Sequence, residues 1–194
     1  MTGLRITAGS LRGRKVPVPP SDVRPTSTKA RQAFFDIIGP AINGARFLDL
    51  FAGSGIFSLE AISRGAGSAI AIDHSTRSAQ QIERLAREWS LPIRAIKSDV
   101  RTAIGSLPRS EPVDVVYCDP PYDFAGHRDL LEEIDRAAPL SSRAIVAMEH
   151  RSDRNELAET STNRIRFRKT ARYGEVAISI FDALEPTEEE QAEP

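Results

Sequence analysis

One cysteine, one tryptophan, two methionines and three histidines stand among 194 residues. A lone Cys118 excludes an internal disulfide and any cysteine-based metal site, and it suits a reducing cytoplasm. His74, His127 and His150 show no ligand spacing, so no metal is expected. No apolar run approaches the roughly 18 residues of a membrane helix. The N-terminal MTGLRITAGSLRGRK is basic but lacks the apolar centre of a secretion signal. These absences leave an ordinary cytoplasmic globular chain, long enough for one domain with a single sizeable core.

Negative charge is scarce at one end and concentrated at the other. Residues 1–31 hold Arg5, Arg12, Arg14, Lys15, Arg24, Lys29 and Arg31 against Asp22 alone, a balance of +6. The last ten residues, EPTEEEQAEP, carry five glutamates and no base. The clustered base points to an anionic partner, with a solvated arm as the plainer reading. The acidic tail reads as disordered. The expected organisation is a basic β-hairpin extension over 1–25, a catalytic domain over 26–184 and a tail over 185–194.

From residue 46 strands and helices alternate. Strands are expected at 46–51, 68–73, 93–97, 113–118 and 143–149. Helices are expected at 54–64, 77–89 and 127–138, with another over 26–38 that Thr26 or Ser27 caps. Alternation implies a mostly parallel α/β sheet with helices on both faces. NRIRFRK (163–169) and VAISIFD (176–182), joined at Tyr173-Gly174, read as a closing hairpin. One of its strands must then run antiparallel, at or near the sheet edge. The count is seven strands, plus a small N-terminal hairpin through Arg5-Ile6-Thr7 and Arg14-Lys15-Val16.

In such a sheet ligands sit beyond the C-terminal strand ends. The first strand ends Asp49-Leu50-Phe51-Ala52-Gly53-Ser54-Gly55, and the small residues let backbone approach a ligand. Ser58 stands where the dinucleotide fingerprint needs its third glycine, which weakens a nicotinamide-cofactor reading. Asp49 would repel a pyrophosphate but suits a cationic amino group. Asp73, followed by His74, ends the second strand 20 residues after Gly53, where a carboxylate can hold both hydroxyls of a ribose. Asp99 and Val100 follow the third strand and suit an adenine edge. A helix cap is the alternative for either acid. A ligand with ribose, adenine and a positive group but no phosphate fits S-adenosylmethionine.

The fourth strand ends in Tyr117-Cys118-Asp119-Pro120-Pro121-Tyr122. Two prolines fix φ and remove two donors, so the corner is rigid. The Asp119 carboxylate and the Pro120 carbonyl form a pair of acceptors for an exocyclic NH₂, and Tyr122 offers a face for an extruded base. A proline turn with Tyr122 packed is the plainer reading. Cys118 is expected to be a buried core residue rather than a nucleophile.

LDLFAGSG, the Asp73 and Asp99 positions and DPPY resemble the class I, amino-directed methyltransferases. IxAGxxRGRK (Ile6 to Lys15), RPTxxxxRQAFF (Arg24 to Phe35), LDLFAGSGIFSLEAISRGA and RYGEVAISIF are similar to the bacterial 16S rRNA guanine-N2 methyltransferases, over nearly the whole chain. Lys29-Ala30-Arg31-Gln32 departs from the Arg-x-Arg-Glu more usual there. The resemblance implies a Rossmann-like fold and methyl transfer from S-adenosylmethionine to the N2 amino group of guanine 966 in the small-subunit RNA. The expected substrate is an assembled particle, and the expected enzyme is a monomer. It further implies that Asp49, Phe51, Ala52, Gly53, Ser54, Gly55, Asp73, His74, Asp99 and Val100 line the cofactor pocket. Asp119, Pro120, Pro121 and Tyr122 would hold the base, and Arg5, Arg12, Arg14, Lys15, Arg24 and Arg31 would meet RNA phosphate. An adenine-N6 DNA methyltransferase and a non-catalytic RNA-binding relative are the rival readings. The first would want a DNA-recognition insert, and the second would want eroded motifs.

Overall fold

A computed structural model describes residues 3–18, 28–121, 123–154, 157 and 160–184. The expectations for Thr26, Ser27, Arg24, Tyr122 and the acidic tail fall outside the described residues.

The chain runs β1 (Gly3–Arg5), β2 (Lys15–Pro17), α1 (Thr28–Ile38), a 3₁₀ turn (Gly39–Ile42), β3 (Arg46–Leu50), α2 (Ile56–Ser63), β4 (Ser68–Asp73) and α3 (Thr76–Glu88). It continues with β5 (Ile93–Lys97), α4 (Val100–Ser106), β6 (Val113–Cys118), α5 (His127–Ala137), β7 (Leu140–Arg151), β8 (Ile165–Tyr173) and β9 (Val176–Ala183). β1 and β2 pair as the expected hairpin, the first strand two residues earlier than the pattern indicates. The other seven strands form one sheet in the order β5-β4-β3-β6-β7-β9-β8. β3 to β7 run parallel, and β9 lies antiparallel between β7 and β8. The closing hairpin therefore folds back, and its second strand is inserted inside its first.

Each face of the sheet has its own core. Helix α1 buries Ala30, Phe34, Phe35 and Ile38, a helical spacing that makes one apolar stripe. Phe34 and Phe57 meet Tyr117, and Phe34 and Phe35 meet Phe47. Each such ring pair adds about 0.5–1.5 kcal/mol beyond burial. On the other face α4 and α5 cover Leu48, Leu50, Val116, Cys118, Val146 and Met148. Every second residue of a strand changes face. Thus Asp49, Tyr117 and Ala147, in register across β3, β6 and β7, share the α1–α2 side.

The N-terminal extension is docked on helix α2. Gly9 has φ +81°, and a Cβ there would lie 1.7 Å from the Ser63 carbonyl oxygen. The Ser10 N–H donates to that carbonyl at 2.8 Å, and the Leu11 N–H donates to Ser63 Oγ at 2.9 Å. Ile6, Leu11 and Val16 enter the main core. No helix among the described residues is long and apolar enough to cross a membrane.

Candidate active site

Acids stand at five neighbouring strand ends. They are Asp99 after β5, Asp73 on β4, Asp49 on β3, Asp119 after β6 and Glu149 near the end of β7. Three of the first four were legible as cofactor acids and the fourth as the corner. Glu149 was missed, although the same rule, an acid closing a buried strand, applies to the 143–149 run.

The loop after β3 is shaped by backbone. Phe51 has φ +65°, a left-handed conformation that a non-glycine residue adopts at a cost. Gly53 and Gly55 also have positive φ, 52° and 79°. A Cβ on Gly55 would meet Ile82 Cγ1 at 2.6 Å, so only glycine lets the start of α2 lie against α3. Ala52 and Ser54 are buried in this loop. Gln81 Nε2 braces it from α3, donating to the Ser54 carbonyl at 3.2 Å and the Pro17 carbonyl at 2.8 Å.

Asp49 is 2% exposed. The Ser58 N–H and Oγ–H both donate to its Oδ2, at 3.1 and 2.7 Å. Burial nonetheless dominates, with the nearby Asp119 and Asp73 charges adding to it, and the carboxyl is pushed up to about 7. Asp73 ties two loops together. Its Oδ2 accepts from the Gly53 N–H at 2.7 Å and its Oδ1 from the Ser75 N–H at 2.7 Å. Each oxygen keeps a second lone pair for another donor. His74 is exposed, its Nδ1 3.7 Å from Asp73 Oδ1. Asp99 caps α4, accepting from the Arg101 and Thr102 N–H groups with Oδ1. The cap alternative is therefore real, and Oδ2 lies outside it. Val100 is buried as the first residue of that helix.

The corner follows directly. The Asp119 N–H donates to the Leu50 carbonyl at 3.3 Å, which binds the corner to the glycine loop. Pro120 is buried and Pro121 exposed. The Pro121 carbonyl accepts from the Phe124 N–H at 2.8 Å and closes a turn. Phe124 then meets Phe51 edge-on, with centroids 6.0 Å apart. Beneath the corner, Tyr117 Oη donates to Glu149 Oε2 at 2.5 Å. Burial, then Glu149 and Asp119, push the Tyr117 phenol up, so it stays a donor. Cys118 is fully buried, and burial, with Asp119 and Asp49, pushes its thiol up. A thiol so held is no nucleophile.

The expected RNA contacts divide. Arg5, Arg12, Arg14 and Lys15 are exposed. Arg31 is a correction: it is 0% exposed and lies between α1, α2 and the extension. Its Nε donates to Glu60 Oε2 at 2.7 Å and its Nη2 to the Arg5 carbonyl at 2.8 Å, so it is a structural joint and no phosphate reaches it. Glu60 also holds Thr7 Oγ1 and Arg64. Arg14 lies over Trp89, 4.9 Å from the ring centroid, just past the C-terminal end of α3. Helix α3 begins beside Asp73 and has 13 residues, so Arg14 stands roughly 20 Å from the acids.

Seven strands in this order, with the antiparallel strand inserted next to the last, an acid at each of five strand ends and a glycine turn after the central strand define a class I methyltransferase fold. The family described as conserved hypothetical protein 95 matches residues 4–182, and the chain belongs to it. It is 32% identical over 183 residues to YlbH of Bacillus subtilis, provisionally named an rRNA methyltransferase, covering 92% of this chain and 98% of that protein. It is 39% identical over 132 residues to ribosomal RNA small subunit methyltransferase D of Escherichia coli K12, covering 67% of this chain and 64% of that protein. Among solved structures, yhhF of Escherichia coli, provisionally called a methyltransferase, superposes with a TM-score of 0.79 at 28% identity, over 95% of this chain and all of that one.

Proposed function

We propose that the chain transfers a methyl group from S-adenosylmethionine to the exocyclic N2 amino group of a guanine in 16S rRNA, on the assembled small-subunit particle. The observation that carries this reading is the placement of Asp49 on β3 and Asp119 just past the end of neighbouring β6, joined through the Asp119–Leu50 hydrogen bond. One acid suits a cationic cofactor and the other an amino-bearing base. The names of the Escherichia coli and Bacillus subtilis relatives support the rRNA substrate.

The residues fit the cofactor. Asp49, buried and pushed up to about 7, is a carboxyl that an ammonium group would return to its ionised form. Asp73 would take ribose hydroxyls on its remaining lone pairs, and Asp99 with Val100 the adenine edge. When bound, S-adenosylmethionine supplies a methyl group on a positively charged sulfur. Asp119 and the Pro120 carbonyl would accept the two N–H bonds of the target amine and turn its lone pair toward the incoming carbon. Asp119 then accepts the proton that the nitrogen loses, or passes it to water. Most of the acceleration is positioning. Tyr117 and Glu149 hold the strand ends beneath the corner.

The test is transfer of tritiated methyl to small subunits, naked 16S rRNA, large subunits and DNA, with the modified base mapped. Label on guanine N2 of small subunits is the expected result. Label on adenine N6, or on DNA alone, overturns the proposal. Asp119→Ala should abolish turnover while cofactor still binds, and normal turnover in that variant makes the corner merely structural.

A further inference from the structure

The docked extension leaves open which cations meet the RNA beside the corner. Arg31 is internal, Arg5 donates to the Gly13 carbonyl at 2.9 Å, and Arg14 lies on Trp89 at the far end of α3. The edge strand β8 is basic as well. There Arg168 is held by Asp182, and just before the strand Arg164 is held by the Asp135 and Ala138 carbonyls. Arg172 donates to the Ser152 carbonyl at 3.5 Å, and Arg166 and Lys169 are exposed on this edge strand, where cations keep strands of other molecules from pairing.

Two arginines stand at the corner itself. Arg101, in the first turn of α4, is exposed, and its backbone N–H is one of the two that Asp99 caps. Its Nη2 lies 3.6 Å from where a Cβ on Gly126 would stand, beside the Phe124 ring. Arg154, in the turn after β7, reaches the same residues, and its Nη1 donates to the Phe124 carbonyl at 2.8 Å. Two guanidinium groups therefore stand at Phe124 and Gly126, a few residues after the Asp119 carboxylate.

We propose that Arg101 and Arg154 contact RNA phosphates next to the extruded nucleotide, and that this rim is a phosphate-binding face at the site. This rests on the methyl-transfer reading above. The strand-end acids repel phosphate and accept amino groups, so a nucleotide that inserts its base leaves its phosphates at the rim. The planar guanidinium fork matches a phosphate there. Arg14, roughly 20 Å away along α3, is left for more distant parts of a large particle.

The experiment uses the full chain with small subunits, read as binding across a salt series and as methyl transfer. Arg101→Gln should weaken RNA binding about tenfold and lower the slope of log affinity against log salt by about 0.7–0.9. KM should rise, while kcat and cofactor affinity stay within about twofold. Arg154→Lys, which keeps the charge, should retain most of the affinity that Arg154→Gln loses. The pair Arg166→Ala and Lys169→Ala should bind like the wild type. A wild-type slope for Arg101→Gln overturns the proposal, as does an equal loss in the β8 pair. If Arg154→Gln lowers kcat at unchanged slope, Arg154 only braces the loop and the two-arginine contact fails. If the wild type methylates no RNA at all, the functional reading fails, yet the binding slopes still decide this one.

Discussion

Asp49 gives the most direct route from structure to measurement. A carboxyl moved from 3.8 to about 7 carries, at about 1.4 kcal/mol per pH unit, roughly 4 kcal/mol against its ionised form. Its folded value lies above its unfolded value. The cost is absent below about pH 4, grows between pH 4 and 7, and is complete above 7. The free protein should lose stability as pH rises through that window. A ligand ammonium beside Asp49 offsets the cost, so cofactor binding at pH 6 should release close to one proton. Between about pH 5 and 7 affinity should climb by up to tenfold per unit, then level off above 7. Isothermal calorimetry in buffers of different ionisation enthalpy measures both quantities. Asp49→Asn keeps the shape and removes the charge, so its affinity should be lower and flat with pH. Flat wild-type affinity from pH 5 to 8, with no buffer-dependent heat, would refute the placement of a cation at Asp49.

Two further outcomes test the scaffold that holds the site. Gly9→Ala places a Cβ on the Ser63 carbonyl in a left-handed backbone, a strain of about 1–3 kcal/mol. Residues 3–18 should then exchange amide hydrogens faster while the sheet stays protected, and unchanged exchange would deny that the close approach docks the extension. Arg31→Met leaves Glu60 buried with Arg64 as its remaining charge partner. A loss of about 3 kcal/mol in urea unfolding is expected, at the low end for a broken buried pair, and a neutral result would show that the pair holds nothing together.

Much of the site was legible because chemistry and periodicity coincide. The SAIAID run had to be a buried strand, and Asp73 had to close it. The two prolines made the corner at Asp119 rigid whatever surrounded it. The closing hairpin announced an antiparallel strand near the edge. Helix α4 was visible only as the alternative role of Asp99, because its seven residues carry too short a pattern. Glu149 was passed over because a glutamate at the end of a strand looks like a surface residue until Tyr117 is placed opposite it.

Spacing and residue type alone determined the strand ends, their acids and the tight glycine turn, since each depends on neighbours a few positions apart. Which cations face solvent was beyond them. Arg31 belongs to the same basic cluster as Arg12, yet one is sealed against Glu60, 29 residues away, and the other is exposed. Only packing of the extension against α2 decides that difference. Likewise only the side-by-side placement of α4 and α5, and the turn after β7, brings Arg101 and Arg154 to one loop. A charge is written in the chain, but its solvation and partners are set by long-range contacts.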